Sequence, residues 1–282
     1  ANRCKFLCRG KFMIFLKAIS LKTASQAATS FPLNLPLFGP DFRLEFATPV
    51  TFLVGENGTG KSTLLEGLAV ASQRVVAGAD ELAHDSSLAS ARLLADQLRL
   101  SWSRKTGRGF FLRAEDFFGY CRRLSQMHHD LAKEARQLAN NYSQQGRSDL
   151  ALKLAVGAIR GQASQLHEQY EALEHRSHGE SYLHFFSHRI VAGGLYLLDE
   201  PETPLSPQNQ LTFMVVLHAA AQAGSQFIIA THSPILMAYP YATIYSLDTV
   251  PPQVVKYDQL EHVNLTRRFL NNPAAYLEGL LR

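Results

Sequence analysis

The chain has 282 residues, enough to bury a substantial core and suited to one elaborated α/β domain. Hydrophobic residues make up 46% and charged residues 18%, an ordinary globular composition that excludes a disordered chain. The net charge of +4 suits anionic partners but is too small to imply nucleic acid without a localised patch.

The three cysteines, Cys4, Cys8 and Cys121, are odd in number and lack metal-ligand spacing, which points to a reduced, cytoplasmic setting. No run approaches the roughly 18 apolar residues of a membrane span, so no membrane insertion is expected. Residues 1–12 mix Arg3, Lys5, Arg9 and Lys11 with Phe6, Leu7 and Phe12. They lack the apolar centre of a signal peptide and are read as a candidate extension ahead of a single domain at 13–282.

Residues 14–21 alternate loosely and 42–46 strictly, which predicts two half-buried strands of an antiparallel front sheet around a Pro/Gly-punctuated loop at 32–40. Residues 50–54 form a continuous apolar run, the pattern of a strand buried on both faces, and lead into a Gly-rich turn and a helical pattern from Lys61. Residues 80–108 read as helical and then basic, and 110–112 as a short strand. From Leu124 to Tyr142, and again from Leu150 to Leu173, apolar residues recur at helical spacing on either side of a turn at 145–149. That predicts a helical hairpin inserted at about 121–176. Beyond it come a strand at 195–198, a helix from Pro207 capped by Ser206, a strand at 227–230, an apolar stretch at 235–239, and strands near Ile244 and Val254. The predicted fold is therefore α/β with a mostly parallel sheet, an antiparallel front subdomain and a helical hairpin insertion.

Gly55-Glu56-Asn57-Gly58-Thr59-Gly60-Lys61-Ser62 satisfies G-x-x-x-x-G-K-[ST] and lies between a buried-strand pattern and a helix, the context a P-loop requires. Gly58 and Gly60 let backbone N–H groups curl round phosphates, and the following helix adds its positive dipole end. Lys61 neutralises β/γ oxygens, Ser62 ligates magnesium, and Thr63 is an adjacent supporting hydroxyl. A second apolar strand, Leu195-Tyr196-Leu197-Leu198, ends in Asp199-Glu200-Pro201, at the strand end where an α/β sheet presents its ligands. Asp199 is placed to hold Mg2+ through its water shell and Glu200 to polarise an attacking water.

Two further strings fit this site. Ser177-His178-Gly179-Glu180-Ser181 contains an S-x-x-E capping box, which by itself needs no nucleotide. Ala230-Thr231-His232-Ser233-Pro234 ends the next apolar strand, with His232 lying 33 residues after Asp199 (232 minus 199). The remaining ten of 11 histidines have no such context and are expected to be solvated. Between residues 99 and 123, basic side chains at 99, 104, 105, 108, 113, 122 and 123 outnumber acidic Glu115 and Asp116. They form either a solvated basic face or a partner patch.

Together these strings resemble the ABC ATPase superfamily, in wording closer to SMC- and RecF-like ATPases than to transporters. More narrowly, the Phe110–Glu115 string, S-H-G-E-S, residues 231–240 and Phe269-Leu270-Asn271-Asn272-Pro273 look like a family of small, stand-alone bacterial predicted ATPases, often assigned to the AAA family. The resemblance implies that Ser177 and Gly179 stand for the signature serine and second glycine, facing the γ-phosphate held by another subunit, while His178 and Glu180 depart from that motif. It implies that His232 is the switch histidine. No glutamine follows the strand at 110–112, so Glu115 or Arg113 would take the Q-loop role. The implied function is Mg-ATP binding and hydrolysis coupled to homodimerisation in a DNA-related or other soluble machine. The insertion and the basic 99–123 segment would meet a nucleic acid or protein partner. A transporter's nucleotide-binding subunit and a scaffold with little hydrolysis are the alternatives.

Overall fold

The computed structural model describes residues 13–22, 30–74, 89–144, 157 and 177–281. The candidate extension at 1–12, the turn at 145–149 and almost all of the second arm of the expected hairpin lie outside the described residues. Two sheets organise the rest. A three-stranded antiparallel sheet has the order β2 (Arg43–Glu45), β1 (Leu16–Leu21), β4 (Leu98–Trp102). A six-stranded sheet runs β5 (Phe111–Arg113), β6 (Leu195–Asp199), β7 (Gln226–Ala230), β3 (Val50–Val54), β8 (Ala242–Ser246), β9 (Gln253–Val255), parallel except for β9.

The continuous apolar runs become strands covered on both faces. Val50, Phe52 and Val54 of β3 and Tyr196 and Leu198 of β6 pack with Tyr182, Phe186, Phe213 and Leu217 on one side. Their alternate neighbours Leu53, Leu195 and Leu197 pack with Leu64, Leu65 and Leu68 of α1 (Lys61–Ala71) on the other. Period-two alternation thus feeds two cores from one sheet. The first is covered by α4 (His178–Arg189) and α5 (Pro207–Gln222), the latter capped by Ser206, whose Oγ accepts the Asn209 N–H. Gln226, fully buried at the start of β7, joins the two sheets: its Oε1 accepts the N–H groups of Phe15 and Leu16, and its Nε2 donates to the Leu16 carbonyl.

Three details differ from the sequence expectation. The 80–108 segment, read as helical and then basic, also contains a strand: α2 (Ala89–Gln97) passes straight into β4, which pairs with β1. No Gly or Pro punctuates that junction, so the helix-to-strand change leaves no local signal. The long helix α3 (Ala114–Gln144) begins seven residues before 121, directly after β5, with Glu115 and Asp116 in its first turn where acidic groups suit the helix dipole. A C-terminal pair, α7 (Glu261–Asn271) and α8 (Pro273–Leu280), closes the chain beyond β9 and the short α6 (Pro234–Met237). Among the described residues no helix is long and apolar enough to cross a membrane.

Candidate functional site

Strands β6, β7, β3 and β8 are consecutive neighbours, so their carboxyl ends lie side by side at intervals of about 4.8 Å. Asp199 and Glu200 leave β6, Thr231 and His232 leave β7, Gly55 to Gly60 leave β3, and Asp248 follows β8. A parallel sheet displays its ligand-binding loops at this edge.

The P-loop is held from within and from the side. Lys61 Nζ donates to the carbonyls of Gly55 at 2.7 Å and Glu56 at 2.8 Å, and Thr59 Oγ1 donates to the Glu56 carbonyl at 2.9 Å. Gly60 caps α1 with φ 96°, a left-handed conformation open to glycine, and a Cβ there would also press on Leu35 and Leu37 at 3.2 Å. Burial lowers the Lys61 pKa, with Glu200 the largest opposing influence, so this ammonium is partly desolvated and faces carboxylates.

Asp199 is buried at the end of β6. Desolvation pushes its carboxyl up to about 7, opposed by a hydrogen bond from Ser62. Its Oδ1 is buried without a hydrogen-bond partner. A serine hydroxyl beside a carboxylate with one unused oxygen is a hard-oxygen donor set that fits magnesium. Glu200 continues the ladder through its N–H to the Ala230 carbonyl at 2.9 Å and then turns with φ 48°. That left-handed backbone on a non-glycine residue costs of order 1–3 kcal/mol and sets the direction of the carboxylate. Glu200 Oε1 lies 3.9 Å from His232 Nε2, both side chains remaining partly open to solvent. Burial first, and Lys61 second, hold the His232 pKa below its ordinary value, so the ring is neutral near pH 7.

The two signature-like residues stand elsewhere. Ser177 caps α4 in a reciprocal box with Glu180, whose Oε2 accepts the Ser177 N–H at 2.9 Å. Gly179 is buried against Asn209 and the Pro204 carbonyl. Neither lines the cleft of its own P-loop, which is bounded by Glu56 to Thr59, His232, Asp248 and the start of α7. Of the Q-loop candidates, Glu115 is 78% exposed. Arg113 is the register partner of Asp199 and pairs with Glu66 at 3.0 Å and Asp116 at 2.9 Å.

Sequence reasoning missed four residues here. Glu202 accepts the backbone N–H groups of His232 and Ser233; its signal was the third carboxylate of Asp-Glu-Pro-Glu. Asp248 accepts the Glu56 N–H at 2.7 Å, and the β8 run ending in Ser-Leu-Asp could have suggested it. Glu66 sits one turn beyond Ser62 on α1, a spacing readable from the P-loop helix itself. His262 lines the cleft from a helix the sequence pass did not assign. The expectation that all histidines other than His232 are merely solvated therefore fails at His262, and also at His218, whose Nδ1 lies 2.9 Å from the Tyr239 hydroxyl.

Two family models match the chain. One, described as an AAA domain, matches residues 37–149, spanning the P-loop. The other, described as AAA domain, putative AbiEii toxin, Type IV TA system, matches residues 166–238, spanning Ser177, Asp199, Glu200 and His232. Both matched stretches are thus similar to AAA domains, and the loop between β3 and α1 has the P-loop pattern and setting that cradle nucleotide phosphates. Solved structures similar to this chain include an SMC head domain of Pyrococcus furiosus bound to the C-terminal domain of ScpA, at 11% identity and TM-score 0.38, covering 86% of this chain and 96% of that one. The SMC head domain from Thermotoga maritima matches at 15% identity and TM-score 0.38, covering 86% and 98%. A nucleotide-free ATP-binding cassette from an ABC transporter matches at 13% identity and TM-score 0.39, covering 86% and 90%. Comparison with curated proteins returns no match.

Proposed function

We propose that the protein hydrolyses Mg-ATP at two sites sandwiched between two copies of the chain. Each site would combine Lys61, Ser62, Asp199, Glu200 and His232 of one copy with Ser177 and Gly179 of the other. The observation that carries this reading is the placement of Glu200: its strained turn sets a partly exposed carboxylate beside His232 at the edge where the P-loop opens. A carboxylate there can accept a proton from an attacking water while Lys61 and the P-loop N–H groups hold the phosphates. Ser62 and Asp199 would hold magnesium, which when bound offsets charge on the β and γ oxygens. His232, neutral and positioned through its backbone, would donate to the terminal phosphate. The exclusion of Ser177 and Gly179 from their own P-loop cleft supports their use in trans.

Phosphate release from wild type and Glu200→Gln, with light scattering of both in Mg-ATP, tests the reading. Wild type turns over. Glu200→Gln loses about a hundredfold or more in rate and accumulates as a dimer. A monomeric Glu200→Gln protein in saturating Mg-ATP would sink the sandwich.

The work driven by hydrolysis is proposed to be DNA-related, with nucleic acid or a protein held along the insertion and the 99–123 segment. Arg99, Arg104, Lys105, Arg108, Arg122 and Arg123 are all exposed, whereas Arg113 is engaged by carboxylates. Exposed cations near the root of α3 suit a polyanion. Turnover with and without duplex DNA at two salt concentrations separates this from a DNA-independent ATPase.

A further inference from the structure

The cleft beside the P-loop has a volume of about 800 Å³, and it is lined in part by the start of α7, which lies outside the P-loop, Asp199-Glu200 and His232 strings. His262, the second residue of that helix, lines the cleft together with His232, Asp248 and the loop crest from Glu56 to Thr59. The Nε2 atoms of His232 and His262 are both buried without a hydrogen-bond partner. A buried polar nitrogen with nothing to bond carries a desolvation cost that a suitable ligand removes. The nearest acidic candidate is already engaged: Asp248 Oδ1 accepts the Glu56 N–H at 2.7 Å and Oδ2 accepts from Ser246 Oγ at 3.1 Å. What the cleft lacks is an acceptor between the two imidazoles and the P-loop crest.

We propose that His262 is a second phosphate-binding imidazole, donating to the terminal phosphate of ATP from the start of α7 and thereby seating that helix on the nucleotide. This rests on the ATP-binding reading of the P-loop and adds to it a residue and a moving element. The location favours the terminal phosphate over the base, because the loop crest and the end of β7 share the cleft with His262. The helix N-terminus behind the ring adds a partial positive charge of the same sense. The start of α7 is held by buried Val263 and by Asn264 and Arg267, which both bond Asp258, while Leu265 and Leu270 are 54% and 69% exposed. A contact at His262 adds to these in setting where this helix sits, and α8 follows it after Asn272.

Titrations of the full chain with fluorescent ATP and ADP analogues in magnesium test the assignment. His262→Ala should weaken ATP binding about tenfold, the scale of one hydrogen bond to a charged group, and leave ADP binding within about twofold. His262→Gln, which keeps an N–H donor, should recover most of the loss. Amide exchange across Glu261–Asn271 should slow with ATP in wild type and not in His262→Ala. Equal weakening of ATP and ADP, or unchanged ATP binding, would overturn the proposal. Lys61→Ala, which should lose both nucleotides, reports separately on the P-loop reading, and thermal melts without nucleotide show whether each variant is folded.

Discussion

Glu202 holds the backbone of His232: its Oε1 accepts the His232 N–H at 2.7 Å and the Ser233 N–H at 3.1 Å. The carboxylate stands on the loop after β6 and the histidine on the loop after β7, so one side chain ties the strand end that carries Glu200 to the one that carries His232. Burial raises the Glu202 carboxyl, and hydrogen bonds from its own backbone N–H, the His232 N–H and the Thr231 hydroxyl oppose that by favouring its ionised form. Glu202→Ala leaves the His232 N–H without this acceptor, at a cost of about 1–3 kcal/mol, while the Ser233 N–H keeps the Thr231 Oγ1 at 3.0 Å. In steady-state assays kcat should fall about tenfold while KM for ATP changes little, because the histidine moves and the P-loop does not. Glu202→Gln, retaining one oxygen acceptor, should keep most of the rate. An Ala variant with wild-type kcat would remove Glu202 from the mechanism.

Asp199 gives a pH-dependent prediction for the metal-free protein. Its pKa rises from 3.8 to about 7, with desolvation the leading cause. A carboxyl whose folded pKa exceeds its unfolded value stabilises the fold below the unfolded pKa, and that contribution is lost as pH rises through the folded one. The window is thus about pH 4 to 7, and the full shift corresponds to at most about 4 kcal/mol. Asp199→Asn, which cannot ionise, should melt higher than wild type at pH 8 without magnesium, and the two should converge near pH 4. Adding Mg-ATP should reverse the order at pH 8, because wild type alone gains the metal. Differential scanning fluorimetry across the four conditions decides it, and identical apo melting points at pH 8 would count against a desolvated carboxylate.

What the sequence revealed follows from the range of the physics involved. The P-loop, the 195–199 strand and the Ser177 box are local: a glycine pattern, a continuous apolar run and an i to i+3 hydrogen bond, each complete within eight residues. The placement of β7 between β6 and β3 is not local, because strand order is set by packing across the whole sheet. Glu202 and Asp248 act through neighbours 30 and 192 residues away, so a local window marks the carboxylates but not their partners. The unread junction between α2 and β4 reflects pairing with β1 about 80 residues earlier, a tertiary preference overriding a featureless local pattern. His262 was hidden for the same reason, since its helix buries only Val263 and shows no clear apolar core stripe.

Gly179 offers a test of action in trans. A Cβ there would come within 2.6 Å of Asn209 Nδ2 and 3.1 Å of the Pro204 carbonyl, so Gly179→Ala must swing the Asn209 amide aside and crowd the Pro204 carbonyl at the first turn of α4. That turn does not line its own P-loop cleft. ATP affinity measured on dilute, monomeric protein should therefore stay within about twofold, while turnover at high protein concentration falls at least about tenfold. A parallel loss of ATP affinity in the monomer would place the turn in its own site.

Arg113 joins the nucleotide edge to the long helix: it pairs with Glu66 on α1 at 3.0 Å and with Asp116 on α3 at 2.9 Å, and both it and Glu66 are 17% exposed. Burial pushes the Glu66 carboxyl up, and Arg113 is the largest influence holding it down. Arg113→Ala strands that carboxylate, a change that costs about 3 kcal/mol in a largely buried pair. Without the guanidinium the Glu66 pKa rises further. A raised carboxyl favours the fold at low pH and loses that contribution as pH increases, so the defect of Arg113→Ala should be greatest near pH 8 and shrink toward pH 5. Urea unfolding of wild type, Arg113→Ala and the double variant Arg113→Met/Glu66→Leu measures this, with the apolar pair expected to recover much of the stability at pH 8. A pH-independent defect would show instead that Arg113 contributes by packing against Phe111, whose ring centroid lies 6.0 Å from its guanidinium carbon.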